Sequence, residues 1–170
     1  VSQLIRSLIA CACAGAIAIA APLGAPLGAP LSAQRAPVAD PGGEARATFT
    51  KYKEVLNAAD WPAVLSFYAD DPRFEWIENG EVRYASKDAI APAFEAMVGT
   101  GSKIRYVTDP PRIAVLAPSV VNLRTKFETT ITDKDGKPFT FGGMITIDMI
   151  KTVTGWKFLR GHISSNGASR

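Results

Sequence analysis

Cysteine and histidine are scarce in this sequence, and that scarcity excludes several chemistries. Of 170 residues, two are cysteine and one is histidine. Both cysteines, Cys11 and Cys13, sit in an apolar run near the N-terminus. The chain beyond that run therefore has no disulfide, no thiol nucleophile and no cysteine metal site. His162 alone, with scattered carboxylates, favours no metal. No glycine-rich phosphate loop opens a helix, and no G-x-S-x-G nucleophile elbow occurs. No cofactor is expected. The net charge of +3 is too small, and its basic residues are too dispersed among the aromatics, for a nucleic-acid partner. A membrane-spanning run is missing as well. The longest apolar stretch, Leu8–Ala21, has 14 residues before Pro22, against the roughly 20 that a span needs.

What is present begins with that stretch. Arg6 precedes it and no acidic residue lies nearby, the pattern of a secretory signal peptide. Cleavage fits after Ala20 or after Ala33. Between them runs a tandem tetrapeptide, APLG-APLG-APLS (Ala21–Ser32), whose recurring proline suits a spacer rather than a packed element. Residues 1–34 are thus expected to be a signal peptide and spacer, and 35–43 a flexible lead-in. Val1 suits a non-standard start codon and hence a bacterial gene, so the expected location is exported, periplasmic or secreted. After removal of the signal no membrane contact is expected.

The sequence as a whole is 47% apolar, and the chain that remains is long enough for one domain with a core. Phe49, Tyr52, Leu56 and Ala59 form one apolar stripe, which predicts a helix over Glu44–Ala59. Asp60 caps a second short helix opened by Trp61-Pro62 and stopped at Asp70-Asp71-Pro72. Arg73–Ile77 and Glu81–Ala85 flank Asn79-Gly80, a type I′ hairpin signal. Ser86 caps a third helix, Lys87–Val98. Then follow strand-like segments: Lys103–Asp109, Arg112–Leu116, Ser119–Thr132, Lys137–Val153 and Trp156–Ser164. Gly142-Gly143 reads as a bulge or bend, and 166–170 as a frayed tail. The class is α+β: three N-terminal helices packed on one face of a curved antiparallel sheet.

Three local patterns within this order resemble the nuclear transport factor 2-like superfamily, and its SnoaL-like branch in particular. They are Asn57-Ala58-Ala59-Asp60-Trp61 leading into Leu65–Asp71, Lys87-Asp88-Ala89-Ile90 opening the third helix, and Trp156-Lys157-Phe158 followed by His162-Ile163-Ser164. The resemblance covers residues 44–165. It implies a cone, with the sheet curled around a pocket roofed by helices. The family includes isomerases, dehydratases, cyclases and members that only bind or scaffold.

Within such a cone, alternation selects the inward residues. Trp156, Phe158, Arg160, His162 and Ser164 share parity, so His162 and Ser164 are expected to face the pocket with Trp156 and Phe158. Relatives often place a His-x-Ser pair at the pocket floor. His162 then serves as acid–base, with Ser164 and Tyr68 positioning substrate; the alternative is a buried structural histidine. Tyr84 and Tyr106 are further phenols. Ketosteroid isomerase, a relative, has an Asp general base after the second helix, but here Trp76 stands in its place. Glu78, one pleat further, is either a substitute or a solvated residue beside the turn. Trp61, Phe74, Trp76, Phe94, Phe127, Phe141 and Met144 are the expected pocket lining. The charged row Arg124, Lys126 and Glu128 is expected outside.

The leading expectation is an exported domain binding a small hydrophobic molecule. One alternative is a cofactor-free lyase, isomerase or hydrolase using His162. Another is a homodimeric interaction module, with Val121, Leu123, Ile145 and Ile150 available for pairing.

Overall fold

Helix α1 (Pro41–Asn57) begins where Asp40 can cap it. The Asp40 side chain accepts from the Gly43 N–H at 2.9 Å, and Pro41 opens the first turn. The computed structural model describes residues 39–98 and 100–169. The expected signal peptide and spacer lie outside the described residues. The lead-in does not extend to Gly43: the cap at Asp40 brings Pro41, Gly42 and Gly43 into the helix. Helix α2 (Trp61–Leu65) is capped by Asp60, whose carboxylate accepts from Ala63 N–H at 3.2 Å.

Strands β1 (Glu75–Glu78) and β2 (Glu81–Tyr84) meet at Asn79-Gly80, with φ of 52° and 91°. Both lie in the left-handed region that a type I′ turn requires. Helix α3 is Lys87–Val98. The sheet continues with β3 (Lys103–Thr108), β4 (Arg112–Ala117), β5 (Val120–Thr132), β6 (Pro138–Thr152) and β7 (Gly155–Ser169). The seven strands run in the order β2-β1-β7-β6-β5-β3, with β4 also on β5. Every pairing is antiparallel except β1 with β7, which is parallel. The tail is ordered further than expected, since β7 keeps pairing with β6 out to Ser169.

Alternation along β5 sets the two faces. Val121, Leu123, Thr125, Phe127 and Thr129 are buried, while Arg124, Lys126 and Glu128 are exposed, as expected. The proline pair Pro110-Pro111 separates β3 from β4 along the same edge of β5. There the Thr125 hydroxyl donates to the Asp109 carbonyl at 2.8 Å, so the buried hydroxyl is satisfied. Val121, Leu123 and Ile145 point into the core with exposures of 0, 0 and 3%, so they cannot serve a pairing surface.

The core is aromatic. Phe158 is fully buried, with the Tyr52 ring edge-on at 4.9 Å and Tyr68 at 5.6 Å. Its backbone is gripped from both sides: Phe158 N–H donates to Phe67 O at 2.8 Å, and Ala69 N–H donates to Phe158 O at 2.9 Å. Glu44 clasps α1 to the sheet, accepting from Lys151 Nζ at 2.6 Å and Trp156 Nε1 at 2.8 Å. These donors hold the Glu44 carboxyl below its ordinary pKa, the Lys151 bond foremost.

Two departures from simple parity matter. Gly142 and Gly143 stay in register with β5, while the pairing of β6 with β7 shifts between Thr140 and Gly142. They are needed for close approach, since a Cβ at Gly142 would lie 2.8 Å from Phe127 O and one at Gly143 would collide with Ser164 O. The extra residue lies on β7 instead. Asp148 pairs Arg160 while its neighbour Met149 pairs Phe158, which leaves Leu159 as a bulge. Beyond it the inward set becomes Gly161 and Ile163.

Gly161 receives the Trp76 ring where a Cβ would collide with it. Gly161→Ala is expected to destabilise the fold by about 1–3 kcal/mol. Combining it with Trp76→Leu should recover part of that loss. Urea denaturation of the single and double variants measures both effects.

Candidate functional site

A cavity of about 210 Å³ lies between the sheet's inner face and the helices. The sheet supplies Phe127 and Ile131 from β5, Phe141 and Ile145 from β6, and Ile163 from β7. The roof comes from Tyr52 and Leu56 on α1, Tyr68 after α2, and Ile90, Ala93 and Phe94 on α3. The β1–β2 hairpin adds Trp76, Glu78 and Tyr84, and β3 adds Ile104 and Tyr106. Apolar and aromatic side chains dominate, as in sites for small organic ligands.

Three buried phenols give the wall its polarity. The Tyr52 and Tyr68 hydroxyls lie 3.2 Å apart and share one hydrogen bond. Tyr106 is held from behind by a double clamp: Asn57 Nδ2 donates to Tyr106 O at 3.0 Å, and Tyr106 N–H donates to Asn57 Oδ1 at 2.6 Å. Its ring stands edge-on to Tyr52 at 6.4 Å, and its hydroxyl is sealed in the wall without a hydrogen-bond partner. Burial pushes all three phenols above the ordinary tyrosine pKa, Tyr68 well above it. Each therefore keeps its proton at neutral pH and can act as a donor. Within the cluster only one of the three O–H groups finds an acceptor, in the bond between Tyr52 and Tyr68, so two donors are left unused. Thr129, 5% exposed, adds a hydroxyl to the same wall.

Glu78 is the single acidic residue on this wall, and among the described residues no lysine, arginine or histidine lines it. Glu78 ends β1 next to the turn, where Asn79 ties the hairpin to β7. Asn79 N–H donates to Ile163 O at 2.9 Å, and Asn79 Oδ1 accepts from Ser165 N–H at 2.8 Å. Those bonds fix the hairpin tip against the sheet and hold Glu78 at the cavity.

Of the residues expected from the sequence, Tyr68, Trp76, Phe94, Phe127 and Phe141 are brought together here. His162 and Ser164 are not. The bulge at Leu159 reverses the parity of β7, so both are exposed on the outer face, and His162 lines a separate depression there with Glu75, Asp148 and Arg160. Met144 is also on the outer face, because β6 alternates without interruption from Phe141 and puts Gly143 and Ile145 inside. Trp61 and Phe74 belong to the packing behind the cavity: Trp61 stacks on Phe94 at 6.0 Å, and Phe74 meets Tyr68 at 6.1 Å. Tyr52 had only a helix-stripe signal in the sequence, which does not separate a cavity residue from a core one. Among the described residues no three His, Cys, Asp or Glu side chains converge as a metal cage.

The profile of the SnoaL-like domain family matches residues 45–167. No match to a curated protein sequence was found. Among solved structures, the chain is similar to a ketosteroid isomerase-like protein from Erwinia carotovora atroseptica, with 22% identity and TM-score 0.60 over 75% of this chain and 98% of that one. It is similar to a nuclear transport factor 2-like superfamily protein from Salmonella enterica, with 20% identity and TM-score 0.62 over 76% and 92% of the two chains. It also resembles a type 2 hexachlorocyclohexane dehydrochlorinase, with 12% identity and TM-score 0.61 over 75% and 86%. At these identities the likeness shows the fold.

Spectrophotometric titration at 295 nm tests the phenol cluster. An unfolded tyrosine ionises near pH 10. Tyr52, Tyr68 and Tyr106, with folded pKa values raised above that, should stay protonated through it. Above pH 10 the unfolded chain then binds fewer protons than the folded one, so stability falls as pH rises. The expected result is that these three of the four tyrosines ionise only as the protein unfolds.

Proposed function

Because the chain belongs to the SnoaL-like domain family, within the nuclear transport factor 2-like fold, we propose that it binds a small, largely apolar molecule in the cavity between sheet and helices. The observation that carries this reading is the pair of buried phenol O–H groups that find no acceptor in an otherwise apolar wall. A buried O–H without an acceptor costs about 1–3 kcal/mol, and a ligand oxygen that accepts from it removes that cost. The molecule the wall favours is therefore flat and apolar and carries an acceptor oxygen, such as a carbonyl or ether. The similarity to a ketosteroid isomerase-like protein and to a dehydrochlorinase supports a small organic ligand as the class.

The catalytic alternative built on His162 loses its geometry, since that ring lies across the sheet from the cavity. Recognition is the reading that the remaining groups support. The phenols hold their protons, and Trp76, Phe127 and Phe141 supply the surface on which a ring can lie.

Two matched probes test the reading. 2-Acetylnaphthalene carries the acceptor oxygen, and 2-ethylnaphthalene lacks it. Both should bind by ligand-observed NMR, the ketone about fivefold to tenfold more tightly. Ala93 lines the cavity from half-exposed α3, so Ala93→Phe should fill the space and abolish binding of both while the protein stays folded. Binding that persists in this variant would place the probes elsewhere and defeat the proposal.

A further inference from the structure

We infer that the ligand of this cavity is an organic cation, an apolar molecule bearing an ammonium group held against Glu78. This inference rests on the cavity being the ligand site and specifies what enters it. The cavity wall carries one ionisable carboxylate and, among the described residues, no basic side chain. Glu78 is half-buried, and among the described residues none makes a hydrogen bond or ion pair with its side chain. A carboxylate withdrawn from water next to apolar walls lacks the compensation that buried charges normally have. The chain as a whole is basic, with a net charge of +3, so the acidic wall runs against the overall balance.

The hairpin sharpens the imbalance. Glu78 pairs directly across from the exposed Glu81 in the β1–β2 register, which sets two like charges opposite one another on the hairpin. Like charges directly opposed across a pair of strands are destabilising. A bound cation offsets that repulsion and supplies Glu78 with its counter-charge.

The surrounding surface suits the same group. Tyr84 and Trp76, paired across the hairpin, and Tyr68, whose ring is 5.2 Å from Trp76, line the same cavity as Glu78. Ring faces attract ammonium groups, and the attraction grows when water is excluded. Tyr84 already takes a cation on its ring: the exposed Arg83 guanidinium lies 5.7 Å from its centroid. At the other end the wall is apolar apart from Thr129 and the buried phenols. The favoured ligand thus carries its ammonium at the hairpin and an apolar body along the rest of the cavity.

The test compares benzyltrimethylammonium with neopentylbenzene, the uncharged molecule in which carbon replaces nitrogen. Ligand-observed NMR at low ionic strength gives both affinities for the full-length protein. The cation should bind about tenfold more tightly than its isostere. In Glu78→Gln the preference should fall towards one, with the isostere's affinity unchanged. In the wild type, raising the salt should weaken the cation alone. Equal affinities, a preference for the neutral isostere, or a cation preference that survives Glu78→Gln would each overturn the inference while leaving the cavity a ligand site. Failure of both probes to bind would overturn the cavity reading itself. The wild-type ratio and its salt dependence decide the question even if the variant does not fold.

Discussion

At Leu159 strand β7 carries a residue that β6 does not pair, and the arrangement around the cavity depends on it. Up to Phe158 the strand faces the helices with Trp156 and Phe158. After Leu159 it does so with Gly161 and Ile163. Without the extra residue, Arg160 and His162 would point into an aromatic interior, where an unpaired guanidinium is costly. With it, a residue with no side chain comes to face inward, and the Trp76 ring fills the space. That contact lets the short β1 lie parallel to β7, an arrangement a hairpin cannot supply, since the two strands are far apart in sequence. The β1–β2 hairpin is then seated on the cavity rim and Glu78 is delivered to it.

The interior so formed is not built for stability alone. A phenylalanine at position 106 would preserve the ring of Tyr106 and relieve a hydroxyl sealed without an acceptor. The cavity forfeits dispersion contacts that a filled core would make. Glu78 sits half out of water with no counter-charge, opposite a second glutamate. Each feature is locally unfavourable, and all converge on one space of about 210 Å³. Local violations of packing and polarity rules gather where a protein does something besides fold. Elsewhere the same rules are kept: Thr125 reaches the Asp109 carbonyl, α1 and α2 are capped by aspartates, and Glu44 takes two donors at once.

The fold was largely legible in the sequence because its signals are local. The α1 stripe, the Asp60 cap, the Asn79-Gly80 turn and the alternation of β5 each reveal an element without reference to any other. The site was less legible because it depends on long-range register. His162 and Ser164 share parity with Trp156 and Phe158 in the sequence, yet they face away. The bulge that separates the pairs is defined only against β6 and leaves no local mark at Leu159. Met144 was misplaced for the converse reason: Gly142-Gly143 looks like a bulge, but the glycines serve the approach of Phe127 O and Ser164 O, and alternation continues through them. Phe74 and Trp76 alternate on one strand and both are buried, yet only Trp76 reaches the cavity. Burial is readable from pattern, whereas which side of a buried ring faces a void is not.

The cavity's walls also differ in stiffness, and that bears on how a ligand enters. The far wall is fixed by backbone-like bonds: Asn57 grips Tyr106 through both of its amide atoms, and Asn79 grips β7 near Ile163. The near wall is α3, which buries only Ile90 and packs on α2 and β2 rather than on the long strands. Pro92 within it lacks the N–H that would bond to the preceding turn, so the helix is one hydrogen bond short at its middle. Ala93 and Phe94, the residues that close the cavity on this side, follow that proline directly. Local opening is easiest where buried apolar contacts and backbone bonds are fewest. Among the cavity's walls, α3 has the fewest of both.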